Sequence, residues 1–321
     1  MRGLFLQDGR ASLRDDLPPP APQPGECRVA VLVAGVCATD LALARGYMGF
    51  AGVPGHEFVG RALDGPLAGR RVVGEINAGC QQCAECEGGD SRHCARRTVL
   101  GILGRPGAFA EQLSLPARNL LAVPDDLGSD AAVLAEPLAA ALQITEQVHV
   151  APGARVLVAG DGKLGLLCAH VLALRGGRVT VAGRHPERAA LLPPSARHAT
   201  GLLEDAAAAN AEPHFDLAVE ATGDPAVLPR VLRLVTPRGT IVLKTTSELP
   251  VTLDLAGLVV NEQVLAGSRC GRLGPALALL ARGVLPIERL IHARYPLAEA
   301  PAALEHAGRP GVLKVLIDVA S

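Results

Sequence analysis

The stretch "RVLVAGDGKLGLLCAHVLALRGG", residues 155–177, joins two different periodicities at a glycine-rich turn. Arg155 to Ala159 reads as a short apolar strand, and Gly160, Gly162 and Gly165 follow in the pattern G-x-G-x-x-G. Apolar residues then recur at helical spacing through Leu174. A lone G-x-G-x-x-G carries little weight. Between a strand and a helix it is specific, because the glycines allow a tight turn, close approach of backbone to a pyrophosphate and close packing of the helix. Lys163 and Leu164 lie at the start of that helix, whose amides and partial positive charge would face phosphates. Further strand-like runs at 178–182, 215–220, 239–244 and 263–267, with helical stretches between them, predict an α/β fold built on a doubly wound parallel sheet.

Composition bounds the rest. A chain of 321 residues exceeds the usual size of one core, so two domains are expected, and 49% apolar residues are enough to bury both. Lys plus Arg (31) balances Asp plus Glu (32), which gives no field for steering onto nucleic acid or an anionic membrane. A small neutral partner fits better. The N-terminal apolar stretch is broken by Gln7 and Asp8, and no later segment approaches the roughly 18 apolar residues of a membrane span. These features predict a cytoplasmic protein. In a reducing compartment, eight cysteines with half of them clustered point to metal before disulfides.

The cluster is Cys80, Cys83, Cys86 and Cys94, four thiols in fifteen residues. A ferredoxin-type iron–sulfur site wants its fourth cysteine three residues after the third, followed by proline, but Asp90 and Ser91 stand there. Four thiolates close a tetrahedron around zinc, and a closed site has no open position for substrate. The expectation is therefore a structural zinc holding a lobe over residues 77–101, with His93 as the alternative to Cys94 for the last ligand. Arg92, Arg96 and Arg97 read as a solvated face.

The end of the second strand of the α/β unit bears on which dinucleotide is bound. An NAD site usually places an acid about 20 residues after the glycines, on the ribose hydroxyls. From Lys163 through Pro186 there is no Asp or Glu. In its place stands "AGRHPER", where Gly183 opens space and Arg184, His185 and Arg188 offer donors suited to a 2′-phosphate. That pattern predicts NADP(H) over NAD(H), the alternative being a solvated turn with loose selectivity.

The first half of the chain adds "GVCATDLA", "VPGHEFVG", "GAFAEQLSL" and "AEPLAAAL", and the second half "AVEATG" and the closing "GVLKVLID". With the cysteine lobe and "VLVAGDGKLG", these motifs resemble the zinc-dependent medium-chain alcohol, polyol and threonine dehydrogenases, in the family's order and across nearly the full length. The resemblance implies a GroES-like β-rich catalytic domain over residues 1–137, a Rossmann coenzyme domain over 138–268 and a return to the catalytic domain over 269–321, with the active site in the cleft between the domains. It also implies two zinc ions per chain. Cys37 and His56 carry over as catalytic zinc ligands, Glu136 or Glu57 as the third, and Asp40 as the carboxylate that orients His56. Thr39 matches the hydroxyl that starts proton transfer. The histidine that ends this relay in many relatives is replaced by Ala42. Thr222 and Gly223 would lie along the adenosine, Ser268 and Arg269 near the domain junction, and Lys314 near a coenzyme phosphate.

The expected activity is hydride transfer between NADP(H) and an alcohol or polyol, or the corresponding carbonyl. A zinc-independent enone or quinone reductase and a non-catalytic NADPH-binding sensor are the alternatives. The segment "NEQVLAGS" is expected to pair across a two-fold axis, giving a homodimer or a homotetramer. Cys27, Cys168, Cys270 and His170 read as core residues, and Tyr47, Met48 and Phe50 as pocket walls. Only eighteen residues separate Cys37 from His56. That spacing does not name the substrate.

Overall fold

The strand Arg155–Ala159 forms where its sequence predicts, with Val156, Leu157, Val158 and Ala159 fully buried. Apolar residues on both faces require cover on both faces, which is the condition of a central parallel strand. Its neighbours are Arg178–Ala182 on one side and Phe215–Glu220 on the other, both parallel to it. The whole sheet runs Arg197–Ala199, Arg178–Ala182, Arg155–Ala159, Phe215–Glu220, Val235–Leu243, Val264–Gly267, and every pairing in it is parallel. Counted in chain order this is 3-2-1-4-5-6, the doubly wound arrangement whose order reverses beside the first strand. Leu157, Ala159, Phe215, Ala218, Val231 and Ile241 share one core cluster in this unit.

Two strands depart from expectation for local reasons. Val235–Leu243 begins four residues before the predicted 239, since "TPRG" has the composition of a turn. The register shifts between Phe215 and Leu217, and Arg238 has a φ of 64°, so the turn-like residues are carried as an irregularity inside the strand. Arg197–Ala199 was not foreseen, being three residues long with no apolar alternation.

The computed structural model describes residues 1–205 and 213–320. It divides into two units, Met1–Glu136 with Arg272–Ser321, and Pro137–Gly271. The first unit is β-rich. Glu26–Gly35 pairs antiparallel with Glu57–Ala62 along one edge, and its other edge is shared between Gln112–Pro116 and the closing strand Lys314–Asp318. The sheet continues through Arg71–Gly74 to Leu120–Ala122 at one end and to Ile291–Pro296 at the other. Alternation in "ECRVAVLVAG" turns Cys27, Val29, Val31 and Val33 inward. The cysteine lobe is a separate small sheet of Asn77–Ala78, Thr98–Leu100 and Gly104–Arg105, with the short helix Ala84–Glu87 between its first two strands. Among the described residues no helix is long and apolar enough to cross a membrane.

One contact at the glycine turn gives a direct test of the second unit. A Cβ on Gly165 would overlap the carbonyl oxygen of Gly160, which is backbone and has nowhere to go. Gly165→Ala is expected to destabilise the protein by about 1–3 kcal/mol, the usual range for overpacking. Denaturant unfolding of the variant checks this, and an unchanged midpoint would show that the turn relaxes without loss.

Candidate functional site

Cys37 follows the strand Glu26–Gly35 and stands at the N-cap of the helix Ala38–Ala44. Glu57 opens the neighbouring strand, opposite Gly35, with His56 just before it. Two adjacent strand ends thus bring together residues twenty positions apart in sequence. Gly55, at φ 98°, makes the turn into His56, and the Phe109 ring lies against it so closely that no Cβ would fit. The Asp40 carboxylate, fully buried, accepts from the backbone N–H of Cys37 at 2.8 Å and from that of Gly55 at 3.1 Å. Its Oδ1 is also 3.3 Å from His56 Nδ1, an ion-pair distance without hydrogen-bond alignment. Asp40 therefore locks both backbones that present the cluster.

One ligand atom each from Cys37, His56 and Glu57 lies within 4.8 Å of the other two. A thiol, an imidazole and a carboxylate are a donor set that zinc accepts. His56 is buried and Glu57 is fully buried, yet His56 Nδ1 and Glu57 Oε1 have no hydrogen-bond partner. Buried polar atoms are rarely left so; His56 Nδ1 faces Asp40 at 3.3 Å, and a cation among the three donors would answer the need of Glu57 Oε1. Burial works against a charge on His56, but Asp40 and Cys37 outweigh it and raise the imidazole well above its ordinary range.

Lys314 sits elsewhere than expected. Instead of facing a coenzyme phosphate it is fully buried in the β-rich unit, donating to Glu57 Oε2 and, at 3.2 Å, to the carbonyl of Val36. Burial disfavours its charge, while Glu57, Cys37 and Asp40 favour it and prevail. The sequence reading missed this role because Lys314 and Glu57 are 257 positions apart. Glu136, half-buried at the start of the helix Ala135–Gln147, is not in the three-donor group. Thr39 is half-buried, its Oγ1 4.0 Å from Cys37 Sγ. Tyr47 and Phe50 are half-buried and Met48 is exposed.

Cys80, Cys83, Cys86 and Cys94 converge in the same way, each offering a sulfur within 4.8 Å of the others, and Cys94 rather than His93 completes the set. The N–H of Gln82 and the adjoining sulfurs bring the Cys80 thiol down to about 6. At Cys83 the N–H of Cys86 pulls the same way, but burial and the neighbouring sulfurs push the thiol up to about 11. Four crowded thiols cannot all ionise unless a cation joins them, so this arrangement also fits zinc.

In the second unit Gly160, Gly162 and Gly165 lie between strand and helix as read. Gly160 has a φ of 109°, and a Cβ there would fall 2.6 Å from the carbonyl oxygen of Ala221. Gly162 caps the helix Lys163–Leu174, with Lys163 and Leu164 half-buried in its first turn. This geometry fits a dinucleotide pyrophosphate. Thr222 Oγ1 is hydrogen-bonded to Glu220 at 2.5 Å, and Gly223 N–H donates to Thr245 Oγ1. Lys244 donates to Ser268 Oγ at 3.3 Å and to the carbonyl of Arg269 at 2.8 Å.

The residues expected to meet a 2′-phosphate are arranged unexpectedly. Arg184 is exposed, but His185 and Arg188 turn to the carboxylate of Asp161, a residue the sequence reading did not single out. Asp161 Oδ2 accepts from His185 N–H at 2.8 Å and lies 3.1 Å from His198 Nε2. Oδ1 lies 3.1 Å from His185 Nδ1 and 3.3 Å from Arg188 Nη1. Burial tends to raise the Asp161 carboxyl, yet these donors hold it below the usual carboxylate range. Cys27, Cys168 and His170 are buried, His170 Nε2 lying 2.8 Å from the carbonyl of Leu191, and Cys270 is half-buried.

The chain thus combines a β-rich unit that holds a three-donor and a four-sulfur cluster with a doubly wound parallel unit. Residues 23–125 match the alcohol dehydrogenase GroES-like domain family. The chain is 31% identical over 335 residues to an L-threonine 3-dehydrogenase of Streptomyces avermitilis, covering 94% of each protein. Among solved structures, an alcohol dehydrogenase of Escherichia coli CFT073 complexed with NADH superposes with a TM-score of 0.90 at 26% identity, over 99% of both chains. A zinc-binding dehydrogenase of Sinorhizobium meliloti 1021 bound to NADP gives 0.86 at 26% identity, again over 99% of both. The chain belongs to the zinc-dependent medium-chain dehydrogenase/reductase family, a family of oxidoreductases.

The buried pair offers a stability test, made on protein stripped of metal with a chelator. Lys314→Met would leave Glu57 charged and uncompensated, which is expected to destabilise the protein by about 3–5 kcal/mol. The double variant Glu57→Gln with Lys314→Met removes both charges and is expected to recover much of that loss in denaturant unfolding. A single Lys314→Met variant within about 1 kcal/mol of the parent would mean that the pair is not what neutralises this site.

Proposed function

We propose that the chain is a zinc-assisted dehydrogenase that moves a hydride between an alcohol or polyol, or its carbonyl, and a nicotinamide dinucleotide. The observation that carries this reading is the convergence of Cys37, His56 and Glu57 within 4.8 Å, with Glu57 Oε1 buried and unpartnered. A rival reductase that works without metal needs no such donor set. The three-donor cluster also differs from the cysteine lobe in having one ligand fewer, the feature that separates catalytic from structural zinc sites.

When bound, zinc supplies a Lewis acid of the kind that lowers the pKa of water from about 15.7 to about 7 and makes a substrate hydroxyl's proton removable near neutrality. The nicotinamide supplies the hydride acceptor or donor. The chain's own part is to position and to move a proton. Cys37 and His56 would hold the metal, with Glu57 as the third donor at hand and Glu136 as the alternative. Asp40 keeps the His56 ring and the Cys37 backbone in place, the support that ligating imidazoles need. Thr39 would accept the substrate proton at Oγ1 and pass it on, to water or to Glu57, since position 42 holds alanine.

Gly160, Gly162, Lys163, Leu164 and Gly165 would cradle the pyrophosphate, with Thr222, Gly223, Ser268 and Arg269 further along the coenzyme. Eight free cysteines fit a reducing compartment such as the cytoplasm. The edge strand Val264–Gly267, with Leu249, Leu255, Val259 and Val260 exposed, would pair with a second copy of the chain.

Elemental analysis of the purified protein is expected to give two zinc ions per chain, and Cys37→Ser to lose one of them together with turnover. One zinc with full turnover on alcohols would overturn the reading. Thr39→Val is expected to lower kcat by about 10²–10⁴ with zinc content unchanged, and retained turnover would remove Thr39 from the relay.

A further inference from the structure

We propose that Asp161 selects the dinucleotide, admitting a free 2′-hydroxyl on the adenosine ribose and rejecting a 2′-phosphate, so that this chain uses NAD(H). The inference rests on the reading of Pro137–Gly271 as the coenzyme unit and reverses the selectivity read from sequence. Its basis is where the carboxylate stands. In dinucleotide sites an acid near the end of the second strand meets the ribose hydroxyls. Here the strand Arg178–Ala182 is followed by Gly183, which has no side chain to offer. The space that side chain would fill is occupied: a Cβ built on Gly183 would overlap Asp161 Cβ, Cγ and Oδ2. The acid missing from the strand end is thus delivered from the glycine turn, one residue after Gly160, into the same corner.

The surrounding donors strengthen the case. A 2′-phosphate needs several N–H groups and positive charge to replace its hydration. His185 contributes its backbone N–H and lies 3.1 Å away at Nδ1, His198 lies at 3.1 Å and Arg188 at 3.3 Å, and all of them address Asp161. Arg188 also donates to the Asp161 carbonyl at 2.8 Å and is buried, so it is held facing inward. An incoming phosphate would compete with a resident carboxylate for these groups and meet its negative charge at close range in a poorly hydrated corner. A ribose hydroxyl brings no charge and needs none of these donors, so it meets no such conflict. "AGRHPER" resembles a phosphate-binding segment in sequence because His185 and Arg188 are visible there and the carboxylate they address, 24 positions from His185, is not.

Binding without turnover tests this. Nicotinamide fluorescence titrations of the full chain with NADH and NADPH are expected to give a Kd at least tenfold lower for NADH, and ADP is expected to bind more tightly than 2′,5′-ADP by a similar factor. Asp161→Ser should bring the NADH-to-NADPH ratio towards unity. Asp161→Asn, which keeps the side chain's size and much of its hydrogen bonding while removing the charge, should shift the ratio in the same direction. A tenfold preference for NADPH in the parent would overturn the proposal, as would an unchanged ratio in both variants when both remain folded by circular dichroism. Failure of NADH, NADPH and ADP alike to bind would overturn the coenzyme reading with it, whereas tight but unselective binding would overturn the role of Asp161 alone.

Discussion

A lysine with no exposed surface requires a carboxylate beside it, and the β-rich unit is arranged around that need. Lys314 donates to Glu57, and both are fully buried. Isolated charges in such a place would neutralise or unfold the site, so each residue fixes the other's position. Several features of the unit follow. Position 35 must lack a side chain, because a Cβ there would come 2.6 Å from Glu57 Oε2. The closing strand Lys314–Asp318 must run beside Glu26–Gly35, with Leu316 opposite Gly35, to bring the lysine under the cluster. The last fifty residues of the chain are therefore part of the first unit, and the corner that gathers Cys37, His56 and Glu57 depends on the C-terminal strand as well as the N-terminal half.

The two donor clusters are assembled by opposite means. Cys80, Cys83, Cys86 and Cys94 are local, and turns inside the lobe suffice to gather them. Cys37, His56 and Glu57 depend on strand pairing, Gly35 opposite Glu57, and on Asp40 holding the backbones of Cys37 and Gly55. The first cluster has four matching sulfurs, helped by backbone N–H groups of the lobe such as that of Cys80, which donates to Cys94 Sγ at 3.4 Å. In the second, Glu57 divides its labour, with Oε2 committed to Lys314 and Oε1 unpartnered. A carboxylate anchored at one oxygen holds the other in a fixed place.

What was legible in the sequence tracks how local each interaction is. The cysteine lobe and the strand–glycine turn–helix segment lie within short windows, and the structure brings the four sulfurs together and sets the glycines between strand and helix as their spacing predicts. The pairing of Lys314 with Glu57 spans 257 positions and leaves no local trace, which is why Lys314 was assigned to a coenzyme phosphate. The predicted strand at 239–244 leaves out the irregular residues that open Val235–Leu243, because "TPRG" has turn composition whether or not a sheet accommodates it. The adenosine corner shows a subtler limit. The acid was sought after the glycines, where such sites usually carry it, and Asp161 stands among them.

Asp40 and Asp161 show why buried carboxylates are the residues to follow in this fold. Each collects donors from elements that are separate in sequence: Asp40 from the N-termini of a helix and a strand, Asp161 from the residues after one strand and from within the next. Acceptors that satisfy several N–H groups at once fix backbone and side-chain geometry together, more tightly than an apolar contact of similar size. The chemical consequence differs with what remains unsatisfied nearby. Around Asp40 an unpartnered carboxylate oxygen belongs to its neighbour Glu57, and a cation would satisfy it. Around Asp161 the ring nitrogens of His185 and His198 and the Arg188 guanidinium are already engaged, so an added anion would have to compete with one that the protein itself provides.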